Sequence, residues 1–179
     1  MFKRRWTIAL AVGAAVMRLF PACDSSQKTE PKAVSPELKL ERVRFLVWRG
    51  EDLRAKGDAR VVTIRRDTSH AGAVDLKAEL MGQGEPVVIT APSAKGDLAT
   101  QVFSAQGGVV VVHGLERAET ERARYEPGPT GQGLISGDDP VVVERGSLTL
   151  EGVGFSFDPE RGELELEGPV TTRSAEGRR

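Results

Sequence analysis

After its N-terminal segment, this chain repeats its apolar side chains at every second position and shows no convincing stripe at helical spacing. Leu148 and Leu150 flank Thr149, Phe155 and Phe157 flank Ser156, and Leu164 and Leu166 flank Glu165. Val43, Phe45 and Val47 share one phase, and Leu46 and Trp48 take the other. Period-two runs bounded by glycine and proline predict half-buried strands. The runs Val61 to Ile64, Val87 to Thr90, Val109 to Val112 and Val141 to Val143 are rich in β-branched residues, which favours strands over helices. Leu115 to Arg124 is the best helical candidate, but its apolar positions are too sparse to bury a face, and it reads as strand or loop. Arg145-Gly146, Glu151-Gly152 and the stretch from Asp158 to Gly162 supply turns. About twelve to fifteen short strands follow, and that many strands without helices predict an all-β antiparallel sandwich or jelly roll.

Two stretches resemble each other. Leu76 to Ile89 passes through Gly84-Glu85-Pro86 and leaves as Val87-Val88-Ile89; Ala123 to Val143 passes through Gly137-Asp138-Asp139-Pro140 and leaves as Val141-Val142-Val143. Pro86 and Pro140 fall in matching places, as expected of one supersecondary unit used twice.

The N-terminus has the form of an export signal. Lys3, Arg4 and Arg5 precede an apolar run from Trp6 to Met17, too short to span a bilayer and of the length of a signal-peptide core. Cys23 is the single cysteine, so no disulfide framework exists. Ala22-Cys23 at the end of that run resembles the lipobox of bacterial lipoproteins, in which the thiol carries diacylglycerol; Phe20 and Pro21 depart from the usual residues of the two earlier positions. Cys23 is therefore the expected lipidation site, with an ordinary cleaved signal or a short anchor as the alternative. Asp24 resembles the signal that retains such proteins in the inner membrane of enteric bacteria. The chain divides into a signal or anchor (1–22), a flexible tether (23–37), one β body (38–173) and a frayed tail (174–179).

A formal net charge of -1 with scattered Lys and Arg, and an aromatic content of 5%, leave neither a basic stripe nor a stacking platform for nucleic acid. His70 and His113 are the only histidines, and neither has a companion at metal spacing. Asp138-Asp139 and Glu51-Asp52 are adjacent pairs, which on a strand point to opposite faces and cannot flank one bond; both read as turn residues. Gly82-Gln-Gly84 and Gly131-Gln-Gly133 precede strands, so they lack the helix N-terminus of a phosphate loop. No catalytic site, metal or cofactor is expected.

Taken together, the N-terminal membrane signal, the tether, Val43-Arg-Phe45, Ala123-Arg-Tyr125, Gly137-Asp-Asp-Pro140-Val141 and Leu164-Glu-Leu166-Glu-Gly168-Pro-Val170 resemble the LptC family, the periplasmic component of lipopolysaccharide export, and its OstA-like relatives. The resemblance covers roughly Leu38 to Arg173. It implies an open, twisted antiparallel jelly roll that binds the acyl chains of lipopolysaccharide and sits at the periplasmic face of the inner membrane. Its implied partners are an ATP-driven transporter with periplasmic jelly rolls, beside Val43–Trp48, and a soluble OstA-like bridge, beside Leu164–Val170. The inward residues that would line such a groove are Phe45, Val87, Ile89, Val110, Val112, Val141, Val143, Leu148, Leu150, Phe155, Phe157, Leu164 and Leu166. The competing expectation is a closed β-sandwich envelope lipoprotein with a structural or assembly role.

Overall fold

A computed structural model describes residues 37–82, 84–128 and 133–174; the signal, Cys23 and most of the tether lie outside the described residues. The strands are β1 (Glu37–Arg49), β2 (Asp52–Arg65), β3 (His70–Leu80), β4 (Val87–Asp97), β5 (Val102–His113), β6 (Glu116–Pro127), β7 (Gly133–Arg145), β8 (Leu148–Asp158), β9 (Glu163–Leu166) and β10 (Thr171–Ser174). The described residues hold no helix. All ten strands are antiparallel in one open sheet, each of β1 to β8 beside its sequence neighbours, while β9 and β10 both pair with β8 as two halves of one broken edge.

The all-β antiparallel architecture is as the alternation requires, but the strands are fewer and longer than their punctuation implies. β1 to β8 have 11 to 14 residues each. Glu151-Gly152 lies inside β8 and not at a turn, and Gly137 to Pro140 lies inside β7. Pro86 precedes β4 at a true hairpin, whereas Pro140 sits in mid-strand, so the two resembling stretches are not one unit used twice. Leu115 belongs to the β5–β6 turn, and Glu116 onward is strand. Ser174 pairs with Leu148 and closes β10 instead of opening a tail.

What interrupts the long strands is a crease. Between β1 and β4 the ladder skips Arg42, Arg60, Asp75 and Pro92, which lie in register with one another. The interruption continues through Gly107-Gly108 in β5, Glu121 to Ala123 in β6, Asp138-Asp139 in β7 and Gly154 in β8. Positive φ at Arg42, Asp75, Gly107, Gly108 and Gly154 marks the same line. An extra residue in a strand turns every later side chain to the other face and bends the strand. The burial pattern follows: Val87 and Ala91 are buried before the crease and Ala94 after it, and likewise Ala118 and Thr120, then Ala123. Both halves of such strands thus keep their apolar side chains on one face.

The sheet folds along this crease into two leaves. Leaf I holds residues 43–47, 55–59, 76–80, 87–91, 109–113, 116–120, 140–145 and 148–152; leaf II holds 37–41, 61–65, 70–74, 93–97, 102–106, 123–127, 133–137 and 155–158. The buried cluster draws on both, with Val87, Val109, Val141 and Val143 from leaf I and Ala105, Ile135, Phe155 and Phe157 from leaf II. The rings of His113 and Phe157 meet across the gap with centroids 5.4 Å apart. Thr120, the buried polar residue of the core, donates its hydroxyl to the carbonyl of Pro140 at 3.0 Å, so the crease leaves it partnered.

Glycine opposite an aromatic ring recurs across the ladder. Gly57 lies against Phe45, Gly96 against Phe103 and Gly137 against Phe155, each a directly paired couple, and Gly133 lies against Tyr125. The ring covers the backbone that the missing side chain exposes and fixes the register. At Gly137 a methyl group would stand 2.6 Å from the carbonyl of Arg122 and 2.8 Å from the Phe155 ring. Gly137→Ala is expected to cost about 1–3 kcal/mol through overpacking, seen as a lower urea midpoint at unchanged m-value. Gly84→Ala, with nothing within 4 Å, should leave the midpoint unmoved.

Candidate functional site

The two faces of the folded sheet differ in kind. Across leaf II the inner face carries one unbroken rung of direct pairs, Leu38–Ile64–Ala71–Gly96–Phe103–Tyr125–Ile135–Phe157–Leu164. Leaf I carries another, Phe45–Gly57–Ala78–Ile89–Val111–Ala118–Val143–Leu150. One residue further along leaf II, the outer face reads Lys39–Thr63–Gly72–Lys95–Ser104–Arg124–Ser136–Ser156–Glu165, with no apolar side chain. The inner rungs are the candidate site, because a continuous apolar track is what the sequence builds across nine strands.

Burial along the track is graded. Apart from Ala59 beside the crease, every fully buried apolar residue lies on β4 to β8. Val87, Ile135, Val141 and Phe155 are each 1% exposed, whereas Leu38 and Leu40 at the β1 end of the track are 40% and 38% exposed. At the packed end the leaves leave a cavity of only about 10 Å³, lined by Val111, His113, Val143, Phe155, Phe157 and Leu164 among others. That volume barely admits one water molecule. The side chains of β4 to β8 therefore fill the interior with one another, and the track is free only towards β1.

Of the expected groove residues, Phe45, Val87, Ile89, Val141, Val143, Leu148, Leu150, Phe155, Phe157, Leu164 and Leu166 share the inner face. Val110 and Val112 do not. Val110 pairs with Thr90 and Glu119, and Val112 with Val88 and Arg117, all on the outer face. A run of four valines carries no phase of its own, and Val109 and Val111 take the inner positions. The sequence reading missed Ile64, Phe103 and Tyr125; their alternation was present but is interrupted by the crease.

The polar groups serve the fold. Asp138-Asp139 sit in the β7 bulge, not at a turn, and Asp139 accepts two hydrogen bonds from Arg122, at 2.7 and 2.8 Å. Arg60 donates to Asp75 at 2.5 Å on the same line. These pairs occupy the positions that the ladder skips. His113 lies in leaf I and His70 in leaf II, and among the described residues no three His, Cys, Asp or Glu side chains converge. Asp97 takes the backbone N–H groups of Ala99 and Thr100 at 2.8 Å and faces His70 at 3.7 Å, and these bonds, the one from Thr100 foremost, hold its carboxyl below the usual range. Burial raises the phenol of Tyr125, with Arg54 and Arg49 of the β1–β2 tip acting in the opposite direction.

Compared with known families and characterised proteins, the chain matches no family model and no curated protein.

The hydrogen bond from Arg122, then its charge, lowers the Asp139 carboxyl below its ordinary value. A folded-state pKa below the unfolded value of about 3.9 adds stability above that pH, and the gain is lost as pH falls through the folded value. Melting temperature should therefore drop in wild type below about pH 4, and Asp139→Asn should show a shallower drop over the same range. Parallel curves for the two proteins would remove the Arg122–Asp139 pair from the account.

Proposed function

We propose that this protein is a non-enzymatic, LptC-like carrier at the periplasmic face of the inner membrane, anchored through Cys23 or an N-terminal helix, that receives lipopolysaccharide by its acyl chains and passes it on. The observation that carries the reading is the apolar track, which runs out of the packed core and lies open at its β1 end. An acyl chain laid on that track gains about 0.8 kcal/mol for each CH₂ removed from water. The strand-turn patterns shared with the LptC family agree with it. On this reading, β1 is the edge that meets the transporter's jelly rolls, and β9 is the edge that meets an OstA-like bridge, each by strand addition.

A second reading rests on the filled interior. A sheet whose packed end holds a cavity of only about 10 Å³ suits a closed envelope lipoprotein with a structural or assembly role.

A photo-crosslinking residue separates the two. Placed at Ile64 or Ile89 on the inner face, in cells making lipopolysaccharide, it should yield a glycolipid adduct that depends on ATP. Placed at Val142, an apolar residue 39% exposed on the outer face, it should yield none. Silence at both inner positions would overturn the carrier and leave the closed sandwich.

A further inference from the structure

We infer that β1 is a self-pairing edge, through which two copies of this chain join antiparallel about a two-fold axis at Phe45 to make one continuous sheet. The two edges of the sheet are unlike. The far edge is two strands of four residues broken at Glu167 to Val170, where Gly168-Pro169 denies a neighbouring strand its ladder. Among the described residues, β1 runs for 13 residues with β2 on one side only. It also carries five of the twelve large apolar side chains exposed among the described residues: Leu38, Leu40, Leu46, Val47 and Trp48. Unpaired backbone and uncovered apolar side chains thus coincide on one strand.

The sequence of that strand fits its own reverse. With Phe45 opposite Phe45 of the second copy, Val43 meets Val47, Glu41 meets Arg49 and Arg42 meets the indole of Trp48, and each pair occurs twice. These are an apolar pair, an opposite-charge pair and a cation–π pair. Sliding the second copy by two residues one way opposes Arg44 to Arg44, a like-charge contact; the other way sets Val43 against Arg49 and leaves Glu41 beyond the end of the facing strand. A slide of one residue turns the inner face against the outer. The symmetric register also carries the leaf I rung, which ends at Phe45, directly into the Phe45 of the second copy. Such an interface is isologous and closes at two copies.

This inference stands apart from the glycolipid reading; where both hold, self-pairing and docking of β1 on a transporter exclude each other. The test uses the purified full chain, without glycolipid, bearing a benzophenone amino acid at Phe45. Irradiation should give an adduct of twice the chain mass, and the same probe at Leu166 should give none. Arg49→Glu, and separately Glu41→Arg, should each cut the yield about five- to tenfold, since two like-charge contacts replace two attractive ones. Combining Glu41→Arg with Arg49→Glu should restore it. Both positions are exposed, and equal melting temperatures would show that the variants stay folded. No self-adduct at Phe45, a yield indifferent to either single change, or no recovery in the double variant would each overturn the proposal.

Discussion

Among the described residues the ten strands form one sheet with no second layer to cover its apolar face, so the sheet covers that face with itself. The crease is how it does so. Folding brings one face of the sheet against itself, so each strand must keep its apolar side chains on that face across the bend; β5 and β7 hold one phase throughout, with Ala105, Val109 and Val111, or Ile135, Val141 and Val143, buried on both sides. In strands such as β4, β6 and β8 the added residue reverses the phase at the bend, and Val87 and Ala94, or Ala118 and Ala123, come to face one interior. Register across the sheet matters as much as the bulges themselves. Interruptions scattered along different strands would have twisted the sheet locally; aligned, they make a hinge line.

The line has its own electrostatic and steric requirements. Residues skipped by the ladder keep backbone groups and side chains that must find other partners, and on β2, β3, β6 and β7 they are arginines and aspartates that take one another. In β5 and β8 they are glycines with positive φ, for which no Cβ opposes the turn. Inside the fold, leaf II carries Ala73, Ala94, Ala105 and Ala123 in direct pairs along the row nearest the crease, and the larger Ile135 and Phe157 lie farther from it. Small side chains line that row on β3 to β6, Phe155 takes its β8 end opposite Gly137, and Val109, Val141 and Val143 pack against them from the other leaf.

The period-two pattern declared strands, and the glycines declared where the chain bends, but the sequence does not distinguish a bend between strands from a bend within one. Gly137-Asp-Asp-Pro140 has the composition of a turn and lies in mid-strand; Glu151-Gly152 does too. A phase reversal looks the same whether the chain returns or continues. Only pairing settles it, since the residues on both sides of Gly137 to Pro140 run alongside β8 in one direction. The same cause hid part of the candidate site. Ile64, Phe103 and Tyr125 belong to a rung assembled from strands far apart in sequence, which no local window contains. Val110 and Val112 were misplaced because a uniform valine run has no polar member to mark its outer side.

The graded burial of the inner face links the packing to what the molecule can bind. A sheet folded on itself closes best where both leaves carry large apolar side chains, and here that is β4 to β8. Towards β1 the rungs continue while the cover thins, so the same residues that complete a core at one end remain exposed at the other. Opening the packed end would separate Phe155, Phe157 and Ile135 from the valines opposite, at a cost of the order of 1.5–3 kcal/mol for each side chain returned to water. A ligand or a second strand arriving at β1 meets a smaller cost, because Leu38, Leu40, Val43 and Phe45 there are only partly covered. Whatever pairs with this protein therefore gains most at β1, where a row of backbone donors and acceptors and a row of apolar side chains end together.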